Sequence, residues 1–374
     1  MKFISVAVLT FILTGMASGQ SVSKAGNIFI ITTDGLRWQE VFEGASPEII
    51  SNPAFVQDTA LLKNFYGDIT AALRRKKLMP FFWDLIAEHG QLYGNRNFGN
   101  KVNVSNFFKI SYPGYNEMLT GRPDPIFIPN LPLNNRNINV LEYLNRESTY
   151  QGRIVVFSSW NIFPYILNEK RNSLPMNSGY SQKINSRMDS ADFLVQELEQ
   201  QVVRKTHTRF DLLTYFSARQ YITQEHPKVV LLGLGETDEF AHRGRYDLYL
   251  QQITAFDKMI SELWYFVQTD PFYKDNTIFI ITSDHGRGKK PERWSAHGIL
   301  TSGSGETWLA ILGPGIKQTG EVKTNAQVWQ SQIASTIVLL IGEKFSPPHK
   351  VNAALNIPME SDFLRNTALS SLTK

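Results

Sequence analysis

Apolar, β-branched runs alternate along the chain with segments in which hydrophobic residues recur at helical spacing. Hydrophobic residues follow the helical period over 79–88, 191–203 and 248–267, and a further helix is predicted over 326–341. The apolar runs predict strands covered on both faces, and they are Asn27–Thr33, Ile154–Ser159, Val229–Gly233, Thr277–Thr282 and Thr307–Leu312. Strands that alternate with helices indicate an α/β fold with a mostly parallel central sheet sandwiched by helices.

Three polar stretches interrupt this alternation, at 121–137, 168–190 and 287–305. In a doubly wound sheet, the loops that leave the carboxyl ends of the strands line the ligand crevice. We therefore expect residues 20–374 to form a single catalytic α/β domain with loop or small cap insertions near 121–137 and 168–190. Ordinary surface connections would explain these stretches equally well.

The first nineteen residues have the features of a cleaved export signal. Lys2 gives a positive start, 3–13 is mostly apolar, and Ala17-Ser18-Gly19 is a small-residue cleavage site. The apolar stretch is too short to span a bilayer of about 30 Å. We therefore predict a periplasmic or secreted protein with no transmembrane segment in its mature form.

Composition removes several classes of function. The net charge of +4 is too small and too dispersed to predict a nucleic-acid footprint. Cysteine is absent, which excludes disulfides, thiol catalysis and Cys-type zinc sites.

Acidic and imidazole side chains stand at or just after the ends of three predicted strands. Asp238 and His242 lie four residues apart, so one helical turn would place both on the same face. Each cluster alone has an ordinary structural explanation, such as a turn or a solvated helix face. Taken together, carboxylates and neutral imidazoles favour a metal centre for Zn²⁺ or Mn²⁺. The candidate residues are Asp34, Asp238, His242, Asp284, His285 and His297.

Ser111 is the candidate nucleophile. It precedes a short helical pattern that ends near Thr120-Gly121, and Pro113 suits the first turn of a helix. Ser111 would then lie beside free backbone N–H groups, where an anion is stabilised. A simple N-cap is the alternative role, and the metal candidates favour the catalytic one.

Five ordered motifs between 27 and 342 resemble the alkaline phosphatase superfamily, and their spacing is most similar to its nucleotide pyrophosphatase/phosphodiesterase-like branch. The motifs are Asp34-Gly35-Leu36-Arg37, Ser111-Tyr112-Pro113 with Leu119-Thr120-Gly121, Asp238 with His242, Asp284-His285-Gly286, and His297-Gly298. The branch commonly has Asn and His after the proline, where this chain has Gly114 and Tyr115.

The resemblance implies an alkaline phosphatase-like αβα core with two divalent metal ions, Zn²⁺ or Mn²⁺. One ion would be held by Asp238, His242 and His297. The other would be held by Asp34, Asp284, His285 and the Ser111 oxygen.

The resemblance also implies an activity, which is hydrolysis of phosphate mono- or diesters through a phosphoseryl intermediate on Ser111. Asn130, or Asn134 as the second candidate, would hold a phosphoryl oxygen. Lys289, Lys290 and Arg293 would either neutralise the second charge of a monoester or form a solvated basic loop. The implied partner is a small-molecule phosphate ester, and monoester, diester and phosphonate substrates all remain open.

Other functions compete with this interpretation. A sulfatase would need an arginine where Tyr115 stands, and a phosphoglycerate mutase would need a large additional domain between Ser111 and Asp238. A catalytically inactive exported binding protein of the same fold is a further alternative. A serine hydrolase with a nucleophile elbow is disfavoured because the chain has no G-x-S-x-G motif.

Overall fold

The computed structural model describes residues 25–126, 129–182, 190–203 and 205–360. The predicted export signal lies outside these ranges. Among the helices in the described ranges, none has the length and apolar character needed to cross a membrane.

Two sheets form within the described residues. Their strands are β1 (Asn27–Thr33), β2 (Gly90–Tyr93), β3 (Asn100–Asn103), β4 (Ile154–Ser158), β5 (Met176–Ser178), β6 (Ser181–Gln182), β7 (Val229–Leu234), β8 (Thr277–Thr282), β9 (Glu306–Thr307), β10 (Leu309–Leu312), β11 (Gly320–Glu321) and β12 (Ala326–Trp329). In the described part of the chain, the central sheet has nine strands in the order β11-β2-β10-β8-β1-β7-β4-β5-β6, and a small sheet has the order β12-β3-β9. β1 pairs in parallel with β7 and β8, and β4 pairs in parallel with β7 and β5. β10 runs antiparallel to β8 and β2.

Helices cover both faces of this sheet. They are α1 (Trp38–Glu43), α2 (Pro47–Ile50), α3 (Thr59–Tyr66), α4 (Ala71–Leu78), α5 (Ala87–His89), α6 (Ser111–Thr120), α7 (Val140–Leu144), α8 (Phe163–Ile166), α9 (Ser190–Gln201), α10 (Asp211–Glu225), α11 (Glu236–His242), α12 (Tyr246–Thr269) and α13 (Ile333–Leu340). A π-helical turn at Phe82–Ile86 precedes α5, and 3₁₀ turns occur at Arg96–Phe98, Pro291–Arg293 and Gln330–Gln332.

The two hydrophobic layers explain why the central strands are apolar throughout. In β1, Phe29 and Ile31 pack into the layer that contains α10 and α12. Ile28 and Ile30 pack into the layer that contains α6, α7 and α13. Because successive strand residues face opposite sides, both sets must be hydrophobic. The predicted α/β class, with a mostly parallel sheet between helices, is confirmed.

Two predicted elements differ from the structure. The predicted helix over 326–341 is a strand and a 3₁₀ turn before α13, because β12 pairs in parallel with β3. The Trp329 N–H then donates to Gln332 Oε1 at 2.9 Å, which starts the helical turns. The predicted strand over 307–312 is divided between the two sheets as β9 and β10.

Candidate active site

The carboxyl ends of β1, β7 and β8 lie next to one another. Asp34 follows β1, and Asp284 and His285 follow β8, so these three residues lie close together. The Asp34 N–H donates to the Leu234 carbonyl at 2.9 Å, which ties the end of β1 to the end of β7. The Gly35 N–H donates to Asp284 Oδ1 at 3.0 Å, which ties the same turn to the end of β8. Parallel strands in register therefore bring Asp34 and Asp284 together.

We call Asp34, Asp284 and His285 the inner cluster, and their ligand atoms lie within 4.8 Å of one another. His285 Nε2 is 3.3 Å from Asp34 Oδ1 and 3.7 Å from Asp284 Oδ2. Ser111 Oγ is 3.4 Å from both Asp34 Oδ1 and His285 Nε2. The candidate nucleophile thus adjoins the inner cluster, and all four residues are buried.

We call Asp238, His242 and His297 the outer cluster. Asp238 and His242 lie on α11, and His242 Nε2 is 3.1 Å from Asp238 Oδ2. His297 comes from the loop after β8, and its Nε2 is 3.1 Å from His242 Nε2 and 3.8 Å from Asp238 Oδ1. The His285 ring stacks on the His297 ring with centroids 4.2 Å apart, so the two clusters adjoin.

Both clusters fit divalent cations. His285 Nδ1 donates to the Gly286 carbonyl at 2.9 Å, so Nε2 is the ring nitrogen that faces the carboxylates of Asp34 and Asp284. Asp284 Oδ2 is buried and has no hydrogen-bond partner among the described residues. Two buried carboxylates that lie this close together need a positive charge between them. Carboxylate oxygens and imidazole nitrogens form a donor set suited to Zn²⁺ or Mn²⁺.

The pKa values of these groups also reflect negative charge that the buried site does not neutralise. Burial, with the nearby Asp34 carboxylate, raises the pKa of Asp284 to about 7. Burial acts to lower the pKa of His285, but the Asp284 and Asp34 carboxylates together raise it to about 9. Burial lowers the pKa of His242, and burial together with the charges of His285 and Arg287 lowers the pKa of His297. A divalent ion would favour both the ionised carboxylates and the neutral imidazoles.

Ser111 is the first residue of α6 and lines the pocket beside the clusters. The Tyr112 N–H donates to Asn130 Oδ1 at 2.9 Å, and the Gly114 N–H donates to the Ile110 carbonyl at 3.0 Å. Pro113 has no N–H. The Ser111 N–H is therefore the donor of this turn that has no acceptor among the described residues, so it is available to an anion.

Two backbone features hold this turn against the clusters. A Cβ at Gly114 would lie 2.4 Å from the Asp284 carbonyl oxygen, so only glycine allows α6 to pack this closely on the end of β8. Lys109 has a φ of 54°, in the left-handed region, and its carbonyl lies 3.5 Å from His297 Nδ1. This strained position orients a candidate ligand, and no pattern in the sequence marks it.

A pocket of about 330 Å³ opens beside Ser111. Asn130 lines it, whereas Asn134 is exposed and does not. Trp160 also lines it, while Tyr112 and Tyr115 belong to the core. The described lining residues are Asp34, Ser111, Asn130, Leu131, Pro132, Trp160, Asn161, Ile162, His207, Thr208, Gly235, Asp238, Glu239 and His242.

The basic residues considered for a second substrate charge lie elsewhere. Lys289 Nζ pairs with Glu306 at 2.6 Å, and its side chain is half exposed. Lys290 and Arg293 are exposed residues of the loop after β8. None of the three lines the pocket that contains Ser111.

Asp211 and Arg287 support the site, and the sequence pattern did not single them out. Asp211 accepts the Gly235 N–H at 2.7 Å and the Glu236 N–H at 3.1 Å, so it caps α11 from another element. The buried Arg287 guanidinium forms an ion pair with Asp238. The only signal for Arg287 is its place directly after the Asp284-His285-Gly286 motif.

Comparison with known proteins gives one family match in sequence. A family model described as the Metalloenzyme superfamily matches residues 177–339, the part of the chain that carries Asp238, His242, Asp284, His285 and His297. No curated protein matches the chain in sequence. The nucleotide pyrophosphatase/phosphodiesterase-like branch is not singled out by these matches.

Solved structures share the fold at low sequence identity. The alkaline phosphatase PafA matches at 10% identity, 89% coverage of this chain, 98% coverage of that chain and a TM-score of 0.58. The lipoteichoic acid synthase LtaP from Listeria monocytogenes matches at 11% identity, 87% coverage of this chain, 74% coverage of that chain and a TM-score of 0.55. A 2-O GAG sulfatase matches at 15% identity, 89% coverage of this chain, 73% coverage of that chain and a TM-score of 0.54. The chain thus has an alkaline phosphatase-like fold.

Proposed function

We propose that the protein is a metal-dependent phosphoric ester hydrolase that cleaves phosphodiesters of small molecules with Ser111 as its nucleophile. The observation that carries the proposal is the convergence of the inner and outer clusters beside one buried serine at the amino end of α6. The likeness to the Metalloenzyme superfamily and to an alkaline phosphatase supports the same class of chemistry.

Two divalent ions, Zn²⁺ or Mn²⁺, would supply the charge that lowers the pKa of the serine hydroxyl and of water and neutralises the phosphoryl oxygens. The inner cluster with Ser111 Oγ would hold one ion, and the outer cluster would hold the other. These ligand atoms already lie close together in the structure, before substrate binds.

The reaction has two displacement steps. Ser111 Oγ, after losing its proton to solvent, attacks phosphorus, and the bond from phosphorus to the leaving oxygen breaks. The leaving alcohol takes a proton from water, and the phosphoseryl intermediate remains. Water then attacks phosphorus, the monoester product departs, and Ser111 regains its proton. The Ser111 N–H and an Asn130 side-chain N–H would donate to phosphoryl oxygens during both steps.

The charge of the pocket favours diesters over monoesters. Among the described lining residues there is no Lys or Arg, and Glu239 is the acidic one that belongs to neither proposed ligand set. A monoester brings a second negative charge that would meet no basic side chain here. A diester carries one charge, and its second organic group can lie against the apolar parts of Trp160 and Pro132.

Removal of the nucleophile tests the proposed chemistry. We expect the purified protein, given Zn²⁺ or Mn²⁺, to hydrolyse bis-p-nitrophenyl phosphate, and S111A to lose turnover. S217A is the control, because the Ser217 hydroxyl donates to the Leu213 carbonyl within α10. Full activity of S111A would refute the nucleophile, and a wild-type protein that cleaves only the sulfate ester would favour the sulfatase alternative.

Substrate class is tested by comparing mono- and bis-p-nitrophenyl phosphate under the same conditions. We expect kcat/KM to be higher for the diester and the product to be the monoester rather than inorganic phosphate. A preference for the monoester would contradict the charge argument without affecting the role of Ser111.

The export signal supports a periplasmic or secreted location. Expression of the full chain in a host with a periplasm, followed by amino-terminal sequencing, should give a mature protein that begins at Gln20. Retention of Met1 on a cytoplasmic product would refute export.

A further inference from the structure

Arg287 cross-links three segments of the site. Its guanidinium is buried and its Nε donates to the Gly35 carbonyl at 2.9 Å. Nη1 donates to the Ser295 carbonyl, two residues before His297. Nη2 forms the ion pair with Asp238 Oδ1. One side chain therefore touches the turn after β1, the helix α11 and the loop that delivers His297.

A second arginine makes the reciprocal contact. Arg37 Nη1 donates to the Gly288 carbonyl at 2.9 Å, while the rest of its guanidinium pairs with Glu40. Arg287 holds the backbone beside Asp34, and Arg37 holds the backbone beside Arg287. A Cβ at Gly35 would lie 2.6 Å from Arg287 Nη2, so the turn leaves room for the guanidinium only because glycine is present.

Asp238 Oδ1 is the atom on which Arg287 acts. The same oxygen lies 3.9 Å from His285 Nε2 and 3.8 Å from His297 Nε2, within the ligand group that these residues form. A guanidinium has no lone pair and cannot bind a metal ion itself. Arg287 can therefore favour a bound cation only through the groups it holds, and among these Asp238 is the candidate ligand.

We propose that Arg287 is a positioning residue that holds Asp238 in its ligating orientation for the outer ion. This inference rests on the proposed metal-dependent function. α11 is only seven residues long, and Arg287 restrains Asp238 from outside that helix. Groups that orient metal ligands in this way typically change metal affinity by about 10- to 100-fold when they are removed.

The test measures metal binding directly in the full-length protein. R287M removes the charge and the N–H donors of the guanidinium and keeps a long side chain. R287K keeps a charge but cannot reach three acceptors. R293M is the matched control, because Arg293 is exposed in the same loop. Metal content is read by mass spectrometry after dialysis, and affinity by competition with a chelating dye.

We expect wild type and R293M to bind two ions per chain. R287M should bind the weaker of the two ions about 10- to 100-fold less tightly, and R287K should recover part of this loss. Purely structural damage would weaken both ions and would not be repaired by lysine. If R287M fails to fold by circular dichroism, R287K decides the question through its own selective loss of one ion.

Two results would overturn the inference. One is wild-type affinity for both ions in R287M, or in R287K where R287M does not fold. The other is tighter binding, which would mean that Arg287 repels the ion rather than positions its ligand. A wild-type protein that binds no divalent ion would instead overturn the proposed function.

Discussion

The inner and outer clusters use the same residue types but are supported differently. The inner side chains are 7% exposed for Asp34 and fully buried for Asp284 and His285. In the outer cluster, His242 is 56% exposed and Asp238 is 17% exposed. Strand ends in fixed parallel register carry the inner ligands, whereas a short helix and a loop carry the outer ones.

The two clusters therefore show two ways in which the fold can hold a set of candidate metal ligands. The register of the sheet determines the inner geometry, so that geometry needs few dedicated supports. The outer geometry depends on side chains that cap α11 and restrain Asp238, namely Asp211 and Arg287. We therefore expect damage to the inner cluster to be severe and damage to the outer cluster to be graded.

The largest effect is expected for D284N. Loss of this buried charge should lower kcat by about 10²- to 10³-fold, the scale for removing an electrostatic group that acts on the transition state. Added metal should not restore activity, because the neutral amide is a poor ligand. Steady-state kinetics and metal content check this, with D275N at an exposed position as control. Near-wild-type turnover in D284N would remove the distinction between the clusters.

A smaller effect is expected for H242A. His242 is the most exposed ligand, so its loss should weaken the outer ion by about tenfold or more and should leave the inner ion in place. Activity should recover as Zn²⁺ is titrated into the assay, unlike that of D284N. H89A, at an exposed position, is the control. Failure to recover would indicate that the two sites are equally rigid.

Removal of the α11 cap should have a milder effect. D211A should lower the free energy of unfolding by about 1–2 kcal/mol, the usual cost of a lost helix cap, and should weaken only the outer ion. Urea unfolding and dye competition measure the two effects, with E225A at the exposed end of α10 as control. Equal weakening of both ions would show that α11 does not act on the outer cluster alone.

The smallest effect on both clusters is expected for D257N. The Asp257 carboxylate accepts the Phe81 and Phe82 N–H groups, each at 2.9 Å. Burial raises the pKa of Asp257 to about 7 from an ordinary value of 3.8. The folded protein therefore binds this proton more tightly than the unfolded chain, so the associated stability is present below about pH 4 and is lost as pH rises to about 7.

D257N should lack this pH dependence. The free energy of unfolding of wild type minus that of D257N should fall between pH 4.5 and 7.5, as measured by urea unfolding. Proton-driven loss of metal affects both proteins alike and cancels in the difference. A constant difference would mean that Asp257 stays ionised throughout this range.

The sequence was most informative where burial is complete. Thr277–Thr282 is predicted and observed with the same bounds, because a strand covered on both faces leaves an uninterrupted apolar run. The segment 326–329 was predicted as helix because its strand character comes from pairing with β3, more than 200 residues earlier. Local pattern carries no information about such a partner.

The same limit applies to the site. The acidic and imidazole candidates stand at strand ends, and a parallel sheet necessarily gathers those ends at one edge. Arg287 was not predicted because its contacts reach Gly35 and Asp238, which only the folded chain brings near. Asn134 was a candidate from proximity in sequence, which does not determine which asparagine faces the pocket.

The order of the candidate ligands along the chain has a consequence for biosynthesis. Asp34 is made first and His297 last, and the segments between them supply Ser111, Asp238 and Asp284. No nascent chain shorter than about four fifths of the full length contains both ends of this set. Any cation centre that needs the whole set can therefore form only after synthesis has passed residue 297, so such a centre would stabilise the folded chain rather than guide its early folding.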